Sequence, residues 1–143
     1  LAPPLDRRPP MSTTRPRVVI VGVGAVAQFA VPKLVKRYAV TLINANDTFV
    51  GSAGAVPQLG SDDVRRRYFQ PISEMSRFAK CTFVHGRAAG VDAAAKTVSV
   101  VKAADGARTD VAYDVLLLTP GVRSGWRPAH VLNHAQFDAA RRA

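Results

Sequence analysis

Gly22, Gly24 and Ala27 form a Gly-x-Gly-x-x-Ala string directly behind the β-branched run Val18-Val19-Ile20-Val21. That spacing suits one chemistry, the holding of a pyrophosphate against bare backbone. Gly22 permits the sharp turn out of a strand, and Gly24 leaves room for a phosphate to approach the main chain. Ala27 is small enough for the following helix to pack close to that strand. The free N–H groups at the helix start, Ala25 among them, then face the phosphates, with the helix dipole favouring negative charge.

Those residues need a strand–turn–helix–strand unit to position them. The pattern predicts strand one over 17–21 and a helix over 25–37, with Val26, Phe29, Ala30, Leu34 and Val35 as its apolar face. Pro32 lies beyond the first helical turn and is expected to kink it. Strand two is read over 39–44. It ends on Asn44, which lies 20 residues after Gly24, where such folds normally offer Asp or Glu to the ribose hydroxyls. Asn can accept a hydrogen bond there, but without charge assistance. No arginine follows it that would suggest a 2′-phosphate, and Asp47 reads as a turn or cap residue.

Beyond this unit a loop rich in Gly, Ala and Ser is read over 47–60, then short helices over 62–69 and 71–80. The second carries Ile72, Met75, Phe78 and Ala79 on one face. A third strand is read over 81–85 and ended by Gly86; its His85 reads as structural. Strands over 88–92, 97–102 and 108–112 follow, the last two joined through a turn at 104–106, and together they make a three-stranded meander in place of a crossover helix. The apolar run 113–121 reads as a buried parallel strand closed by Gly121. The fold class is therefore α/β: a Rossmann-like FAD/NAD(P)-binding domain, a parallel sheet with an antiparallel β-meander crossover. The expected organisation is a basic, Pro-rich disordered arm over 1–16, the dinucleotide-binding domain over 17–125, and a tail with a short helix over 126–143.

Composition narrows the partners. Twenty basic residues against ten acidic ones give a net charge of +10 in 143 residues. A polyanion such as RNA, or an acidic protein, is a natural neighbour for such a surface. The single cysteine, Cys81, excludes an internal disulfide or a redox pair. Three scattered histidines offer no metal-ligand spacing, and no apolar run is long enough to span a membrane. The 1–16 arm holds five prolines and one carboxylate. It is acid-poor like an organelle transit peptide, which points to a mitochondrial location; a start at Met11 leaves a cytoplasmic one.

The order of elements resembles the FAD-binding domain of flavoproteins with two dinucleotide folds. The wording resembles their branch of apoptosis-inducing-factor-like proteins and type II NADH:quinone oxidoreductases, within the pyridine nucleotide-disulfide oxidoreductase superfamily. Four stretches carry the likeness: residues 18–27 (VVIVGVGAVA), 40–49 (VTLINANDTF), 83–92 (FVHGRAAGVD) and 113–121 (YDVLLLTPG). The resemblance implies an FAD with its pyrophosphate on the backbone from Gly22 to Ala27 and its ribose at Asn44. Its adenine edge would meet the backbone near Ala88, and Gly121 would approach the flavin. It implies further that NAD(P)H reduces the flavin, which passes electrons to a quinone-type acceptor. Three departures accompany the likeness: Asn44 replaces the acid, Thr119-Pro120-Gly121 replaces Ala-Thr-Gly, and residue 143 falls about where an NAD(P)H domain would begin. This length of chain is thus expected to hold no catalytic residue and no NAD(P)H site of its own. Two functions remain open. One is the FAD-binding part of such an oxidoreductase. The other is an inactive flavoprotein fold kept as a structural subunit among the proteins of a larger mitochondrial assembly, a respiratory complex or a ribosome.

Overall fold

A computed structural model describes residues 14–50 and 69–121. Strand β1 (Arg17–Val21) leads through the glycine turn into helix α1 (Ala25–Leu34), and β2 (Ala39–Asn44) returns parallel to β1. A small antiparallel pair follows, β3 (Thr48–Val50) with β4 (Phe69–Pro71). Two single 3₁₀ turns, Ile72–Glu74 and Ser76–Phe78, come next. The long strand β5 (Thr82–Asp92), β6 (Thr97–Lys102) and β7 (Arg108–Ala112) form the meander, and β8 (Val115–Leu118) closes the described chain. The main sheet has the order β7-β6-β5-β2-β1-β8. It is parallel from β5 to β8 and antiparallel from β5 to β7.

Strand alternation explains the two cores. Val18, Ile20, Val40 and Leu42 point to one face, where α1 supplies Ala27 and Val31 and the 3₁₀ turns supply Ile72, Met75 and Phe78. Val19 and Ile43 point to the other, where the meander supplies Val98 and Val100. Both faces of β1 and β2 are thus covered, which is why these strands read as continuous apolar runs. Each fully buried Val, Leu or Ile stabilises the fold by about 1.5–3 kcal/mol.

Several expectations give way to packing. Helix α1 ends at Leu34 rather than at 37; it passes through Pro32 and closes with Val35 and Tyr38 donating to the Val31 and Leu34 carbonyls. Its buried stripe is Ala27 and Val31, with Leu34 and Val35 packed beside them, while Val26 and Phe29 are exposed, Phe29 by 78%. The helix lies close to the sheet, so the small residue faces inward and the large ones turn away. The helix expected over 71–80 is instead the two 3₁₀ turns, whose three-residue period still places Ile72, Met75 and Phe78 inward, while Ala79 is exposed. Residues 48–50 form a strand, not a loop, and residue 69 begins β4. Gly86 does not end the third strand: β5 runs on through 88–92 with a register shift between Ala88 and Gly90. A Cβ at Gly86 would stand 2.6 Å from the Val101 carbonyl oxygen, so glycine is what lets β6 approach. The last strand is shorter than the 113–121 run, covering only 115–118. The 1–13 part of the arm, the predicted helix over 62–68 and the tail helix lie outside the described residues. No described helix is long and apolar enough to cross a membrane.

At the base of the sheet, Arg17 and Asp114 tie β1 to the start of β8. The Arg17 backbone N–H donates to Asp114 Oδ2 at 2.7 Å, and its guanidinium grips both carboxylate oxygens at 3.2 and 3.1 Å. These bonds hold the Asp114 carboxyl down at about 2.

Candidate functional site

The carboxyl ends of β1, β2 and β8 converge where β5 passes from its parallel to its antiparallel half. In open α/β sheets this is the edge at which ligands bind. A cleft of about 200 Å³ lies there, lined by Val21, Gly22, Ile43, Asn44, Ala45, Gly86, Arg87, Ala88 and Pro120.

Gly22 sits at φ +98°, a left-handed conformation that favours glycine. Its N–H donates to the Ile43 carbonyl at 2.8 Å. The Thr119 hydroxyl lies 2.8 Å from the Gly22 carbonyl oxygen and 3.2 Å from that of Val21. The Thr119 carbonyl would stand 2.2 Å from a Cβ on Gly22. The end of β8 thus clasps the glycine turn from above. Gly24 is different. It has an extended backbone (φ −120°, ψ −157°) open to any residue, and a Cβ there would meet nothing within 4 Å. It is the N-cap of α1, it offers no side chain, and the first turn carries no acid. The amides of Ala25, Val26 and Ala27 precede the first intrahelical bond, Gln28 to Gly24, and so form a bare, positively polarised helix start.

Asn44 braces the turn rather than standing free. Its Oδ1 accepts from the Val23 backbone N–H at 3.0 Å, and its Nδ2 donates to the Asn46 carbonyl at 2.9 Å. One amide hydrogen and one lone pair remain for a ligand. Of the residues singled out from the sequence, Gly22, Asn44 and Ala88 line the cleft. Gly24 and Ala25 lie at the helix start beside it. Ala27 is fully buried against the sheet, leaving only its backbone to that surface. Gly121, at φ +77°, follows the lining residue Pro120.

His85 is held aside: its Nε2 is 3.2 Å from the Ala45 carbonyl, and its ring stacks on Phe83 with centroids 6.2 Å apart. Burial pushes the Cys81 thiol up to about 11, so it stays protonated at neutral pH. The residue that the sequence pattern did not reveal is Arg87. It lies 43 residues from Asn44 along the chain, and the parallel pairing of Asn44 with His85 brings it to the same cleft.

No protein-family model matches the sequence, and no curated protein matches it. Solved structures do match its fold. The water-forming NADH oxidase of Lactobacillus brevis bound to NADH superposes with a TM-score of 0.65 at 21% identity, over 87% of this chain and 31% of that one. NDH2 of Plasmodium falciparum in complex with NADH gives 0.61 at 18% identity, over 78% and 23%. The sulfide:quinone oxidoreductase of the hyperthermophilic bacterium Aquifex aeolicus gives 0.58 at 23% identity, over 76% and 25%. The chain thus spans between a quarter and a third of the length of these relatives in fold. With its glycine turn, parallel sheet and meander, it has the Rossmann-like fold of the FAD-binding part of the pyridine nucleotide-disulfide oxidoreductases.

Proposed function

We propose that this chain is the FAD-binding part of an NAD(P)H-dependent flavin oxidoreductase that passes electrons to a quinone-type acceptor. The observation that carries the reading is Gly24. Nothing in the chain's own backbone conformation or packing requires a glycine there. A bare N-cap over an uncapped helix start is what an approaching pyrophosphate requires.

The remaining residues fit the ADP half of such a cofactor. The pyrophosphate would rest on the backbone of Gly24 and Ala25, with Gly22 shaping the turn and Ala27 packing the helix beneath it. Asn44 would offer its remaining N–H and lone pair to the ribose, and Ala88 its backbone to the adenine. Pro120 and Gly121 would border the flavin end. When bound, the isoalloxazine supplies the redox chemistry; the work of this chain is to bind and orient. The relatives in fold are an NADH oxidase, an NDH2 and a quinone oxidoreductase, which supports the reaction class.

A second reading, a flavoprotein fold retained as a structural subunit, draws on the internal engagement of Asn44 and on the net charge of +10. The visible absorption spectrum of the chain purified from its native source, with mass spectrometry of any released ligand, separates the two. A flavin spectrum with FAD released is the expected outcome. A colourless chain without nucleotide contradicts it and favours the structural role.

A further inference from the structure

Arg87 is the one charged residue among those that line the cleft. It is exposed and makes no hydrogen bond or ion pair with any described residue. Other arginines differ: Arg17 is fixed on Asp114, and Arg77 donates to Gln28 Oε1 at 2.7 Å. No carboxylate lines the cleft, and the residue in the ribose-binding place, Asn44, is neutral with half its polar capacity engaged by Val23 and Asn46. The usual arrangement sets a negative charge beside the ribose hydroxyls, which repels a phosphate attached there. Here the sign at that end is positive.

We propose that Arg87 is a nucleotide-binding residue of this cleft, and that with Asn44 it makes the adenosine end attract negative charge rather than exclude it. The proposal rests on the reading of the cleft as a nucleotide site and adds the sign of its selectivity. A guanidinium without an internal partner can donate to a phosphate oxygen in bidentate fashion or lie over the adenine face, and both gain from its full charge. An adenosine phosphorylated on its ribose therefore binds more tightly than its unphosphorylated form, and added salt erodes the difference.

Calorimetric titration of the full chain, freed of bound nucleotide, with ADP and with 2′-phospho-ADP tests this. At low salt, 2′-phospho-ADP is expected to bind about tenfold more tightly than ADP, as a charge-assisted contact of this kind provides. The preference should vanish in Arg87→Gln, an exposed position whose folding far-UV circular dichroism verifies, and should reverse in Asn44→Asp. Equal affinity for the two ligands, unchanged in Arg87→Gln, overturns this proposal and leaves the nucleotide site standing. Failure of the folded wild-type chain to bind either ligand overturns both.

Discussion

A Cβ on Gly22 would stand 2.2 Å from the Thr119 carbonyl oxygen, whereas a Cβ on Gly24, two residues on in the same turn, would meet nothing within 4 Å. Gly22 also sits at φ +98°, and Gly24 in ordinary extended backbone. The first glycine is explained by the chain's own atoms: β8 presses on it from above and Ile43 holds its N–H. The second has no internal explanation. Motif strings join such residues as though they did one job. In this turn one glycine lets the fold close and the other keeps a surface clear.

The largest effect should come from breaking the closed half. Gly22→Ala forces a methyl group into the Thr119 carbonyl at an unfavourable φ, and urea unfolding should show a loss of about 3 kcal/mol or more. A loss below about 1 kcal/mol would mean that β8 does not clasp the turn. Gly24→Val should cost about 1 kcal/mol or less, the ordinary penalty of an apolar N-cap; a loss as large as that at Gly22 would erase the contrast between the two. The smallest effect belongs to the ion pair at the far end of β1 and β8. Asp114 is held at about 2 when folded, against about 3.9 in an unfolded chain. Its contribution is therefore complete above about pH 4 and is lost as pH falls from 4 toward 2. Asp114→Asn should be less stable than wild type at neutral pH, with the two stabilities converging near pH 2. Parallel curves over that range would show that the pair contributes nothing, a common outcome for exposed pairs.

The legible part of this fold was what local chemistry decides. Residues 17–21, 39–44, 97–102 and 108–112 form the strands that their patterns predict, because burial on one or both faces writes itself into the alternation. The misread parts were decided by distant packing. The α1 stripe could be drawn through Val26 and Phe29 or through Ala27 and Val31, and only the closeness of the sheet selects the second. Gly86 looks like a stop, yet it serves the approach of β6 within a continuous β5. The same division holds at the site. Gly22, Gly24 and Asn44 were legible because one βαβ unit fixes their spacing. Arg87 was not, because it reaches the cleft only through the pairing of β2 with β5.

The central claim is that Gly24 is kept bare for a ligand. Titration of FAD into the wild-type chain and into Gly24→Val, followed by flavin fluorescence, addresses it most directly. The account predicts saturable binding to wild type and a loss of at least tenfold in the variant, with its fold intact. Equal binding by both would contradict it.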